Sequence, residues 1–385
     1  MMNAVYLNKY SSTRYMKLHY RLILTMVLLA AGLCAAAQKQ ESKLIYTDAA
    51  TLPLYGKVVP DDGPRFRRLP PEMQAMIREP LWNLGCHSAG LYIRFRSDAP
   101  RIHAKWTNTG FRMPHMTDCG VGGLDLYALI DGQWRFVGSG FKSGDQPNER
   151  NDKLVVDMEP VMREYMLYLS LYDEVKTLEL GIPEGYVIEP SEEGGPSDAH
   201  PVIMYGSSIL QGGCASRPGM AFTNILSRRL DRTVVNLGFS GSAVLDYEIA
   251  ELMARSPSPS AYVLDYVPNA SPDNIRERGE RFFSILRQAH PEVPVIFVED
   301  PPYPHSIVNK SMEKEIRLKN EAQKALYETL RKAGHKRIYY IPSEGMLGDD
   351  GEATVDGVHF TDFGMRLYVD HVLPTLRRAL KKQPK

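Results

Sequence analysis

From residue 201 onward the chain repeats one alternation: a short, nearly all-apolar run, then a longer stretch with helical spacing. The runs are "PVIMY" (201–205), "TVVNL" (233–237), "AYVLDYV" (261–267), "VPVIFVE" (293–299) and "RIYYI" (337–341). A strand that alternates polar and apolar residues has one wet face. A strand that is apolar throughout is buried on both. Helical patterns follow near 219–230, 244–255, 271–289 and 311–334, with a last one near 361–381. This half is therefore expected to be α/β, a parallel sheet covered by helices on both faces. Ligands of such sheets bind at the carboxyl ends of the strands, so the chemistry should lie just after each apolar run.

Residues 40–190 have a different rhythm. "GLYIRFRS" (90–97), "RIHAKWTN" (101–108), "GLDLYALID" (123–131), "WRFVGSG" (134–140), "EYMLYLSLYD" (164–173) and "TLELGIP" (177–183) alternate apolar with polar residues, and Gly, Pro, Asp and Asn break them. This is the pattern of an antiparallel β-sandwich. Asp131-Gly132 between two runs signals a hairpin. The polar, Pro- and Gly-rich segment 188–200 reads as a linker to a second domain at 201–382. With 43% of its 385 residues hydrophobic, the chain carries enough apolar mass for two cores.

The N-terminus reads as a cleaved signal peptide over residues 1–37. Basic residues from Met16 lead into an apolar run, Leu22 to Leu33, too short to span a bilayer, and then Ala35-Ala36-Ala37. Gln38 would open the mature chain, and Met16 is a candidate true start. Leu33 argues against a lipid on Cys34, because such sites take a small residue there. The expectation is an exported, periplasmic or extracellular protein with no stable membrane span. Lys+Arg and Asp+Glu both number 46, so no basic stripe points to nucleic acid. Cys86, Cys119 and Cys214 then remain. Cys86–Cys119 as a disulfide and buried free thiols are both open, and no cysteine or histidine spacing suggests a zinc site.

After the first run comes Gly206-Ser207-Ser208, with a helix expected to begin by about Pro218. A serine at a strand-to-helix turn sits where backbone N–H groups point outward and can hold an oxyanion. Taken alone, the segment reads more readily as an ordinary turn with a serine cap. The second run leads to "NLGFSGSA" with Gly238 and Gly241, and the third to Asn269. The last loop holds Asp356 and His359, three apart, where histidine can act as a base and aspartate orient its ring. Each piece has a plainer reading as a turn or a cap. Their occurrence in this order, each after its own strand, points to a serine hydrolase.

At these residues the second half resembles the SGNH, or GDSL-type, hydrolase superfamily. Gly206-Ser207-Ser208, Gly241, Asn269 and Asp356-x-x-His359 match its four blocks. The resemblance implies a flavodoxin-like sheet of about five strands and a jelly-roll-like sandwich ahead of it. It implies Ser208 as nucleophile, His359 as base and Asp356 as its partner. The oxyanion hole would be the Ser208 and Gly241 N–H groups and the Asn269 side chain. Ser207, Val267 and Ala270 stand where the best-known branches keep aspartate, glycine and aspartate. "GGLDLY" (122–127) resembles the Gly-x-Asp-Leu-Tyr motif of an N-terminal domain found before such hydrolases in exported bacterial proteins. For Asp125 and Tyr127 the structural role, packing with a satisfied carboxylate, is favoured over substrate contact.

His115 and His305 are candidate pocket residues, with surface histidines as the plainer reading. Trp82, Trp106 and Trp134 read as sandwich core, or one of them as a platform for a sugar. The expected reaction is ester hydrolysis through an acyl-enzyme, on O-acetyl groups of a carbohydrate, with no metal or organic cofactor. A lipid or short-chain ester hydrolase and a glycan-binding protein with a vestigial hydrolase half are the alternatives.

Overall fold

The structure, a computed structural model, describes residues 42–59, 63–191 and 200–381. The signal-peptide segment and most of the expected linker lie outside the described residues.

The first half supplies β1 (Leu44–Asp48), β2 (Leu54–Tyr55), β3 (Tyr92–Ser97), β4 (Ile102–Thr107) and β5 (Leu124–Ile130). It continues with β6 (Gln133–Gly140), β7 (Glu149–Val155), β8 (Arg163–Tyr168), β9 (Thr177–Pro183) and β10 (Ile188–Pro190). One sheet runs β1-β9-β4-β7. The other runs β10-β3-β8-β5-β6, with β2 pairing β3. Every pairing within them is antiparallel. The inner faces of both sheets share one core, in which Phe95, Trp106, Leu126, Leu167 and Leu180 are fully or almost fully buried. Trp106 also donates its indole N–H to the Gly122 carbonyl at 3.0 Å. Asp131 and Gly132 both take positive φ, 51° and 71°, and close the β5–β6 hairpin as expected. Ile188–Pro190, where the bounds expected for the sandwich and for the linker overlap, pairs with β3 as an edge strand. Pro190 fits there because an edge strand has ladder positions that need no N–H.

The second half supplies β11 (Val202–Gly206), β12 (Val234–Gly238), β13 (Ala261–Asp265), β14 (Val295–Val298) and β15 (Ile338–Ile341). They form one parallel sheet in the order β12-β11-β13-β14-β15. This is the flavodoxin-like order, with its switch point beside the first strand. Helices Phe222–Leu230 and Asp362–Leu380 share a core with Met204 and Val263 on one face. Helices Tyr247–Ala254, Pro272–Ala289 and Lys310–Lys332 pack with Ile203 and Tyr262 on the other.

The two halves interlock. Trp82 was expected in the sandwich core, but it sits on helix Glu79–Gly85 and packs into the core beneath the parallel sheet. Arg68, 2% exposed, enters the same region. Its guanidinium donates to the carbonyls of Gly238 (2.8 Å), Asn236 (3.0 Å), His87 (3.0 Å) and Leu84 (2.6 Å). Burial pulls it down to about 10, so it stays charged at neutral pH. Cys86, Cys119 and Cys214 are free thiols, so the disulfide is not formed.

Candidate active site

Helix formation begins immediately after β11, ten residues earlier than the sequence suggested. Ser208 is the first residue of the short helix Ser208–Gln211. Ser207 caps it, its hydroxyl accepting from Ile209 N at 3.3 Å. That is a task an aspartate performs equally well, and it leaves Ser208 as the outward-facing serine. β12 passes so close that a Cβ on Gly238 would lie 2.2 Å from Gln211 N. Tyr172, from the first half, donates its hydroxyl to the Ser208 carbonyl at 2.9 Å.

The last loop is folded by Asp356. Its Oδ1 accepts from the amides of Val358 (3.0 Å) and His359 (2.8 Å), and Val355 N bonds back to the His359 carbonyl (2.8 Å). These bonds turn the His359 ring inward. Its Nδ1 lies 2.7 Å from Asp356 Oδ2 and its Nε2 lies 2.8 Å from Ser208 Oγ. Burial pushes the Asp356 carboxyl up, but the bonds from the His359 ring and from the two amides outweigh it, and the group is held at about 2. It is a carboxylate throughout the neutral range, so Nδ1 carries the proton and the Nε2 lone pair faces the serine.

Gly241 sits in the loop after β12 with φ 65° and nothing within 4 Å of where a Cβ would stand. Asn269 follows β13. Its Oδ1 accepts from Ala243 N at 3.3 Å, which turns its Nδ2 donor away from that contact. The loop carrying Gly241 is tied to the first half through a relay. Ser240 N donates to Gln211 Oε1 (3.1 Å), and Gln211 Nε2 meets His87 Nδ1 (3.0 Å). Burial pulls His87 down to about 3, so it is the neutral acceptor.

Ser208 and Asn269 open on a pocket of about 190 Å³, walled by Ile209, Met312, Ile316 and Val358 and floored by polar Asp300 and Lys319. Burial pushes Asp300 up to about 7, against the pull of Lys319 at 3.9 Å, and pushes Asp265 behind it up to about 8. A larger cavity of about 800 Å³ between the β5–β6 hairpin and helix Phe222–Leu230 contains none of the Ser208 group.

The two candidate pocket histidines separate. His305 packs against Gly357, with its Nδ1 2.5 Å from where a Cβ there would lie, and does not line the Ser208 pocket. The His115 ring, on a loop of the first half, lies 5.2 Å from the His359 ring. Trp134 is a half-buried neighbour of Arg94, whose guanidinium lies 5.5 Å from its ring centroid.

Sequence reasoning missed the clamp that holds the site loops to the sandwich. Asp125, fully buried, accepts from Arg217 Nη1 and from Gly219 N, each at 2.7 Å. Arg217 also donates to the Tyr127 hydroxyl at 2.9 Å. The Gly-Leu-Asp-Leu-Tyr motif therefore grips the chain just downstream of Ser208. Nothing in the spacing announces Arg217, because the contact crosses between the halves.

The profile of the GDSL-like lipase/acylhydrolase family matches residues 199–377, and the GxDLY N-terminus of SGNH-hydrolase-type esterases matches residues 44–188. A GDSL-like lipase from Bacteroides ovatus is 35% identical and superposes with a TM-score of 0.84, over 89% of this chain and all of that one. The salicylyl-acyltransferase SsfX3 of a tetracycline biosynthetic pathway is 18% identical, with a TM-score of 0.70 over 90% of this chain and 99% of that one. A family two carbohydrate esterase from Cellvibrio japonicus is 12% identical, with a TM-score of 0.56 over 88% and 99%. These last two share the fold. No curated protein matches the chain. By the two profiles and the relative from Bacteroides ovatus, the chain belongs to the GDSL-like lipase/acylhydrolase family, in the group whose hydrolase half follows a GxDLY N-terminal domain.

Proposed function

We propose that this protein is an exported esterase that removes short acyl groups, acetyl above all, from a carbohydrate. The observation that carries the catalytic part is the line Asp356–His359–Ser208, with contacts of 2.7 and 2.8 Å. His359 Nε2 takes the Ser208 proton as Oγ attacks the ester carbonyl. The oxyanion forms against the Ser208 and Gly241 amides and the Asn269 Nδ2. His359 then returns the proton to the leaving alcohol, and water repeats the sequence to free the acid. Asp356 keeps the ring in its tautomer and offsets the charge it gains.

The size of the pocket supports the short acyl group. Sites for drug-sized ligands run to roughly 300–1,000 Å³, and the cavity at Ser208 is about 190 Å³. Its buried Asp300 and Lys319 disfavour a long alkyl chain, which cannot bond to either. The fold shared with carbohydrate esterases of family two and with an acetyl xylan esterase from Butyrivibrio proteoclasticus supports the carbohydrate.

The test is a panel comparing acetate release from acetylated polysaccharides with hydrolysis of p-nitrophenyl esters of rising chain length, for the wild type and Ser208→Ala. The expected profile is highest on acetyl and falls with length. Activity that rises with chain length would sink the acetyl assignment. Activity that survives Ser208→Ala would sink the mechanism.

A further inference from the structure

We propose that His115, Cys214 and His359 form a binding site for a zinc-class divalent cation, and that occupancy of this site switches hydrolysis off. The switch rests on the esterase reading above; the binding site does not.

The three residues come from distant parts of the chain, which is why no ligand spacing appears in the sequence. One donor atom from each lies within 4.8 Å of the other two. Two imidazoles and a thiol suit zinc and its softer neighbours and do not suit magnesium or calcium, which prefer oxygen. Around a tetrahedral zinc such donors stand roughly 3.4–3.6 Å apart, given metal–ligand distances of about 2.0–2.3 Å. The set therefore needs to close by no more than about 1.4 Å on binding, and His115 lies on a turn of the first half.

Two independent details point to a ligand there. His115 Nε2 is buried and has no hydrogen-bond partner. An orphaned buried polar atom costs about 1–3 kcal/mol, and coordination would relieve that cost. His359 is already arranged as a metal-binding imidazole: Nδ1 is held by the Asp356 carboxylate at 2.7 Å and Nε2 faces inward. A carboxylate behind the distal nitrogen is the usual support for a zinc-bound histidine. Cys214 is a buried free thiol at the same point.

On binding, the cation accepts lone pairs from His115 and His359, and a bond forms to the Cys214 sulfur as its S–H bond breaks. The thiol proton leaves to water, and nothing is oxidised or reduced. A fourth position stays open for water or the Ser208 hydroxyl. The His359 Nε2 lone pair that would bind the cation is the one that takes the Ser208 proton, so the two states exclude each other. His115 belongs to the first half, and Cys214 and His359 to the second. The cation would therefore also bridge them.

The full-length chain is titrated with Co²⁺ alone, following thiolate-to-cobalt charge transfer in the near ultraviolet. Hydrolysis of p-nitrophenyl acetate is titrated with Zn²⁺ in parallel and then restored with a chelator. One equivalent of Co²⁺ is expected to bind with that band. Cys214→Ser should abolish the band, and His115→Ala should weaken binding at least about tenfold, no less than an outer-shell change costs. Each variant is compared with its own metal-free rate, and both should lose the tight inhibition by Zn²⁺. Ser208→Ala should bind Co²⁺ while turning over nothing. A wild type that binds Co²⁺ with the band yet hydrolyses no ester keeps the metal site and overturns the esterase reading. No band, or Co²⁺ affinity unchanged in both ligand variants, overturns the site. A band without inhibition by Zn²⁺ overturns the switch.

Discussion

The sandwich and the parallel sheet treat their strands differently. β11, β12 and β13 are buried at every residue, while β6 is exposed or half-exposed at all but its last. A strand with both faces buried can offer only its end to a substrate, and Ser208, Gly241 and Asn269 each follow such an end. A strand with one wet face can project polar groups sideways. Where the second half covers β5 that face is buried too, and Asp125 projects from it into the border between the halves, to which the loops of the first half also send Arg68, His87, His115 and Tyr172. One half thus holds the proposed reacting groups, and the other holds them in place.

Substitutions break this division at four points, taken from the largest expected effect down. Ser208→Ala should lower kcat on an acetyl ester by at least about 10⁴-fold with the melting temperature nearly unchanged. A coupled loss of stability would mean that Ser208 is structural. Arg217→Ala takes its ion-pair partner from the buried Asp125 and leaves it the Gly219 amide, so stability should fall by about 3–5 kcal/mol, read as a shift of the denaturant midpoint. If turnover falls instead while the midpoint holds, the clamp serves the reaction and the comparison is wrong. Asn269→Ala should cost on the order of 10²–10³ in kcat and little in KM. A pure rise in KM would move Asn269 from oxyanion donor to substrate binder.

The smallest effect is a pH dependence in the floor of the pocket. Asp300 is pushed up to about 7 from about 3.9 in an unfolded chain. Between those values the folded protein holds a proton that the unfolded chain has lost. Stability from this group is therefore full below about pH 4 and declines as pH rises through 7. Asp300→Asn cannot lose that proton. Its melting temperature should gain on the wild type as pH rises from 4 to 8. A difference that stays flat with pH would remove Asp300 from the account.

Much of this architecture was legible because periodicity reports burial. The five parallel strands and the long helices fall within a few residues of where their patterns placed them. β7 was not legible: "ERNDKLV" carries charges where a strand should alternate, because it lies on a sheet edge and turns Asp152 inward. That carboxylate is satisfied by the Phe141 and Lys142 amides at 3.1 and 3.2 Å, so its reason is tertiary. The same holds at the site. Ser208, Asn269 and the Asp356–His359 pair follow apolar runs and can be found from order alone. Arg217 and Cys214 sit in an unpatterned stretch, and their partners are far away in sequence.

The Asp125 clamp also sets what can be exchanged in evolution or design. A Cβ on Gly219 would lie 2.5 Å from Tyr127 and 2.7 Å from Asp125, so the turn and the strand that grips it admit no independent variation. A cut at the segment between the halves would sever Asp125 from Arg217 and Arg68 from the carbonyls of Asn236 and Gly238. A chimera that keeps its fold must therefore carry the 217–219 turn along with the sandwich that was made to hold it. The unit of recombination is not the unit that the sheets define.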